Sequence, residues 1–231
     1  MGSIYGRVLS VDVEEGVRAS HVYAYLYASF ITIGFVVFVN IGQAYVINEI
    51  LNVPIPEQGR LTGNLAFWTE IIIISLVGVC GVLSARIGRR AVFAFGITFI
   101  GMSYAFYPLA SSEGELTAYR LIYAVGVAAS TGMLGTIVQD YPRDRSRGRL
   151  IALGGVFNGL GALFVTIVFR PMPQVFQDMG ATPVEAGMYM HWIATAICLT
   201  SALIIGFGLK GGTPAHPSER PPLLHLAQAG L

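Results

Sequence analysis

The chain has 231 residues, of which 54% are hydrophobic and only 12% charged, with 28 glycines and a formal net charge of +1. A soluble domain carries about a quarter charged residues, so the composition excludes an ordinary soluble globular domain. The near-zero net charge provides no field that would recruit nucleic acid.

Taken in order, residues 1–20 read as a polar N-terminal segment in which Asp12, Glu14 and Glu15 balance Arg7 and Arg18. No cleavable signal peptide is evident, because the first apolar run is too long for a signal core. Six apolar helices are then expected, over 22–51, 62–83, 91–109, 116–139, 150–169 and 185–209. Each reaches or exceeds the ~20 residues needed to cross a bilayer. Prolines punctuate them at Pro54, Pro56, Pro142, Pro171, Pro173 and Pro214, and the residue before a proline is pushed out of helix. The membrane domain is therefore set at 21–210 and a polar tail at 211–231. Cys80 and Cys198 lie in separate apolar runs and read as small packing residues, with no metal site or disulfide framework.

Orientation follows from the basic residues. With an even number of helices, both termini share one side. That side holds eleven of the 14 Lys and Arg, the other side holds Arg60 and Arg170, and Arg120 lies within the fourth helix. Both termini are expected in the cytoplasm.

Between the second and third apolar runs lies Gly81-Val82-Leu83-Ser84-Ala85-Arg86-Ile87-Gly88-Arg89-Arg90. Gly81 and Gly88 are expected to let the two helix ends approach closely, since glycine adds no Cβ. Gly155 and Gly159 are expected to serve helix packing in the same way. The connection after the fourth helix, Asp140 to Arg149, carries Arg143, Arg145, Arg147 and Arg149. Its Asp140 is expected to pair with Arg86 or Arg90 at the same membrane level.

These stretches resemble the major facilitator superfamily of transporters. The first is similar to its Gly-x-Leu-Ala-Asp-Arg-x-Gly-Arg-Arg/Lys loop, with Ala85 at the usual Asp position. The second resembles its acidic-Pro-Arg-Gly pattern, and Arg120 with Gly126 resembles its helix-four Arg-x-x-x-Gly-x-Gly pattern, with Ala124 in place of the first glycine. The stretch from Gly155 to Gly161 partly resembles the antiporter pattern but lacks its Gly-Pro pair. The resemblance implies an all-α, six-transmembrane-helix bundle like the N-terminal half of such a transporter. It also implies that Gly81, Arg86, Gly88, Arg89, Arg90, Asp140 and Arg147 form a cytoplasmic gate. The stretch from Glu219 to Leu226 resembles the start of the linker that leads to a seventh helix.

Intramembrane polar groups give the candidate solute or ion pathway: Asn40, Gln43, Glu70 and Arg120. Glu70 lies eleven residues before Gly81, so ~16 Å from the cytoplasmic end of its helix and near the midplane. Charges at such depths are costly against lipid, so both Glu70 and Arg120 are expected to point inward. They serve either as a site or as a structural Glu70–Arg120 strut. His191, beside Met190 and Trp192, is expected at the outer interface rather than as a metal ligand.

No arrangement for hydrolytic chemistry stands out, so no enzyme and no cofactor are expected. The reading is one half of a secondary transporter for a small solute, with ion coupling through Glu70. It would sit in a bacterial inner membrane and partner a second six-helix half, as a separate chain or a second copy. The alternative is a structural or assembly subunit of a larger membrane complex, to which Ala85 and the single half point.

Overall fold

The computed structural model describes residues 7–211. Six long helices form the bundle: α1 (Ala19–Tyr45), α2 (Ile55–Ile87), α3 (Arg89–Phe106), α4 (Glu113–Asp140), α5 (Arg147–Phe169) and, after the short α6 (Met172–Asp178), α7 (Pro183–Gly208). With its flanking turns, each of the six long helices is long and apolar enough to cross a membrane. The expected all-α bundle of six membrane helices is what is seen.

Local signals explain the helix ends. Pro54 caps α2 and Pro56 sits in its first turn, where the missing N–H costs nothing. The Ser112 hydroxyl accepts the Glu115 N–H at 3.2 Å at the start of α4. Thr182 and Glu185 form a reciprocal capping box that opens α7. Helix α1 ends in one π-helical turn, Val46–Ile50, before Asn52 adopts a φ of 50°. Most helices run a few residues beyond the expected bounds, because these caps lie outside the apolar runs.

Two crossings bring backbones together. Gly34 on α1 meets Gly161 on α5, and a Cβ at Gly161 would run into the Phe30 carbonyl. Gly96 on α3 meets Gly126 on α4, where a Cβ on either would lie within 2.8 Å of the other's carbonyl oxygen. Gly155 and Gly159, expected to serve packing, face open space. The close approach falls on Gly154, against the Tyr25 side chain, and on Gly161.

The main packing partners are α1 with α5, α2 with α4, α3 with α4, α1 with α7, and α3 with α7. Exchanging the first three long helices with the last three (α1 for α4, α2 for α5, α3 for α7) maps this set onto itself. An aromatic core of Phe35, Phe38, Tyr104 and Phe169 fills the centre, and the Tyr104 hydroxyl donates to the Phe35 carbonyl.

The N-terminal segment is more than a polar lead. Strands β1 (Arg7–Val8) and β2 (Val11–Asp12) form a hairpin turned by Leu9 and Ser10, both with positive φ. Val11 and Val13 are buried, and Val13 bridges to Pro142 in the α4–α5 connection. The Arg143 N–H donates to the Asp12 carbonyl at 2.9 Å, and the Glu14 N–H to the Tyr141 carbonyl at 2.9 Å. The linker-like stretch from Glu219 to Leu226 lies outside the described residues.

Candidate functional site

At the end of the bundle that carries the hairpin, the turn between α2 and α3 is a single residue. Gly88 has φ 93° and ψ 144°, a conformation that side chains resist, so this position needs glycine. Gly81, expected to play the same part, lies exposed on α2 with nothing near its missing Cβ. Because α3 begins directly after Gly88, Arg89 is aimed across at α4. Its guanidinium pairs with the Asp140 carboxylate and donates to the Thr136 carbonyl at 3.1 Å. The expected partners of Asp140 were Arg86 and Arg90; the ion pair formed is with Arg89. Arg90 instead reaches Gly211, beyond the end of α7, and Arg86 is half-buried in the last turn of α2. Arg147 bonds Asp144 at 2.7 Å within its own exposed turn.

The hairpin locks this cluster. The Asp12 carboxylate accepts from Arg145 and from the Ser146 hydroxyl, both at 3.0 Å. The Arg149 guanidinium donates to the Ser10 carbonyl at 2.8 Å. Tyr141 is buried, and its hydroxyl accepts the Lys210 N–H at 2.9 Å. Burial pushes the Tyr141 phenol up to about 12, so it stays neutral over any working pH.

The intramembrane candidates separate. Arg120 is 7% exposed, and its Nε donates to the Thr69 hydroxyl at 2.9 Å. Its guanidinium carbon lies 4.7 Å from the centre of the Tyr123 ring. Glu70, expected to point inward with Arg120, lies on the exposed side of α2. Helix geometry accounts for this: one residue is a 100° rotation, so the Thr69 that faces α4 turns Glu70 away. A Glu70–Arg120 strut is not formed.

Gln43 is buried, with its side-chain carbonyl unpartnered. Asn40 is exposed and lines an open cavity of about 540 Å³ with Tyr45, Asn48, Glu49, Gln58 and Arg170. Within that wall Gln58 donates to the Asn48 side chain at 3.3 Å, and Asn48 donates to Glu49 at 2.5 Å. The wall can accept and donate to a polar solute at several positions.

His191, expected at the interface, is fully buried. Its ring stacks on Tyr107 at 6.1 Å and meets Phe38 edge-on at 5.4 Å. Nδ1 lies 2.8 Å from the Gly187 carbonyl, and Gly42 on α1 leaves room for Nε2. The sequence carried a signal for this. Gly187, Ala194, Cys198, Ala202 and Ile205 recur at helical spacing, and His191 falls on that same buried stripe.

Six apolar helices of membrane length, joined at one end by an ion-paired cluster, define a multi-pass integral membrane protein. No family model matches the chain, and no solved structure matches it. Over 173 residues it is 26% identical to the magnetosome protein MamH of Paramagnetospirillum magneticum, covering 71% of this chain and 38% of that protein. It is 28% identical over 127 residues to low affinity inorganic phosphate transporter 5 of Petunia hybrida, covering 51% of this chain and 21% of the relative. With niacin transporter NiaP of Acinetobacter baylyi the identity is 31% over 104 residues, covering 42% of this chain and 24% of the relative. The chain thus spans less than two fifths of the length of each of these relatives. Two of these three relatives carry transporter names.

Proposed function

We propose that this chain is the N-terminal six-helix half of a major-facilitator-type secondary transporter and moves a small solute. The observation that carries this reading is the packing pattern, which survives exchange of α1, α2 and α3 for α4, α5 and α7. Nested repeats of three helices are the internal symmetry of each six-helix half in that superfamily. The Gly88 turn and the Arg89–Asp140 pair support it at the gate end, where opposite charges hold two connections together. In this reading both termini are cytoplasmic, the membrane is a bacterial inner membrane, and Asn40 with its cavity wall meets the solute.

A second six-helix half, a separate chain or another copy, would cover the exposed faces of α2 and α5. The relatives' named solutes, inorganic phosphate and niacin, are the first to try. The test is the mass of the gently solubilised particle, cross-linking from α2 and α5, and uptake into vesicles. A homodimer or two-half heterodimer that takes up solute is the expected result; a stable lone monomer that is active would defeat it. The second reading, a non-transporting assembly subunit, is favoured by Ala85 and by the relative named as a magnetosome protein rather than a transporter. A fixed stoichiometry in a large complex without uptake would select it.

A further inference from the structure

Arg120 carries a fixed positive charge in a setting that lacks the usual compensation. It is more than nine-tenths buried, in the N-terminal half of α4. Among the described residues no carboxylate forms an ion pair with it, and Glu70, next to Thr69 on α2, lies on the exposed side of that helix. Thr69 satisfies Nε, the Tyr123 ring covers one face, and Nη1 has no partner. A guanidinium cannot shed its proton to escape the cost of burial. A buried cation of this kind calls for an anion.

The neighbouring groups are of the type that hold one. The Tyr107 hydroxyl faces the guanidinium and interacts with it. Tyr107 stacks on His191, whose Nε2 has no hydrogen-bond partner and lies against Gly42 of α1. Tyr104 and Tyr123, with rings 6.0 Å apart, close the cluster from α3 and α4. Five helices and the turn after α3 thus bring a planar cation and a phenol together inside the membrane domain. A guanidinium presents paired N–H groups that match the two oxygens of a carboxylate or phosphate.

We infer that Arg120, with the Tyr107 hydroxyl beside it, is the binding point for an oxyanion, the carboxylate or phosphate group of an anionic solute. This inference rests on the transporter reading and narrows it from a small solute to an anionic one. In the present conformation the point is closed by Thr69 and the tyrosines, so the oxyanion reaches it when α2 and α4 part at that level.

The test is equilibrium binding of radiolabelled inorganic phosphate and nicotinate to the protein in lipid nanodiscs, with any partner half present. Nicotinamide, the neutral isostere of nicotinate, serves as competitor. Binding of at least one anion is expected, with nicotinamide failing to compete. Arg120→Gln should weaken it by about tenfold or more, the scale of a lost charge-assisted contact. Tyr107→Phe removes only the hydroxyl that faces Arg120 and should weaken it about threefold while the fold is kept. The exposed Arg60→Gln is a control for loss of one positive charge and should bind as the parent does. Undiminished binding in both Arg120→Gln and Tyr107→Phe would overturn the inference, as would the absence of binding by either anion. Competition by nicotinamide as strong as that by nicotinate would overturn the anionic class and leave the transport reading standing. Failure of the particle-mass and uptake test would instead remove the transport reading itself.

Discussion

The α3–α4 crossing gives a sharp test of how the bundle is held together. In Gly126→Ala the new Cβ would lie 2.6 Å from the Gly96 carbonyl oxygen, 2.7 Å from the Ile100 nitrogen and 2.8 Å from Ile100 Cγ1. Ordinary van der Waals contact starts at 3.4 Å, and two of the three obstacles are backbone. No rotamer change relieves them, so the helices must separate by roughly 0.8 Å, an opening that forfeits a quarter to a half of each contact's attraction. Overpacking of this kind costs about 1–3 kcal/mol. Alanine's better helix propensity returns ~1 kcal/mol, so the net loss should be about 0–2 kcal/mol. Gly155→Ala on α5 gains the same propensity and meets nothing, so it should be neutral or slightly stabilising. Unfolding of the two purified variants in mixed micelles, followed by helical circular dichroism, separates the cases. A Gly126→Ala variant as stable as Gly155→Ala would refute a tight crossing.

Four more outcomes are expected. Reporter fusions after Leu109 and after Leu209 should read outside and inside respectively; the reverse pattern would refute the charge argument for orientation. A double-mutant cycle between Arg89→Ala and Asp140→Asn should return a coupling of about 1 kcal/mol or less, because both side chains are partly solvated and screened. Arg90→Ala with Asp140→Asn should be additive within ~0.5 kcal/mol. Asp12→Ala should raise hydrogen exchange at the amides of Arg143 and Ser146, since the carboxylate that holds the Arg145 and Ser146 side chains, and with them the loop whose Arg143 N–H bonds the Asp12 backbone carbonyl, is gone; unchanged protection there would mean the strap is held by Val11 and Val13 alone.

The number and type of helices were legible because each apolar run is bounded by prolines, glycines or charges. The Gly88 turn was legible for a similar reason: three arginines around a glycine between two such runs leave few alternatives. What escaped was rotational. Residues 69 and 70, or 89 and 90, differ by 100° around a helix, and only the register of α2 and α3 against α4 decides which one faces inward. The glycines escaped for a related reason. Gly155, Gly159 and Gly161 look alike in sequence, yet only Gly161 stands where α1 crosses. The N-terminal hairpin offered two-residue strands too short for a period to register, and its docking depends on backbone groups of residues far away in sequence.

Burial follows the same exchange of helices as the contacts do. Helices α1 and α4 are the most buried, and α2 and α5 are the least. Each member of the central pair packs against the outer helix of the opposite triplet. Every constraint on Arg120 and Gln43 therefore comes from within the bundle, whereas Glu70 on α2 lies on the exposed side of its helix and the open glycines of α5 meet nothing inside it. A carboxylate at that depth is costly against hydrocarbon. Glycines with free space beside them admit another backbone at short range. The two features sit on the pair of helices that the exchange relates. In the proposed reading a partner bundle would cover both at once, with small residues for close approach along α5 and a polar group to meet Glu70 along α2.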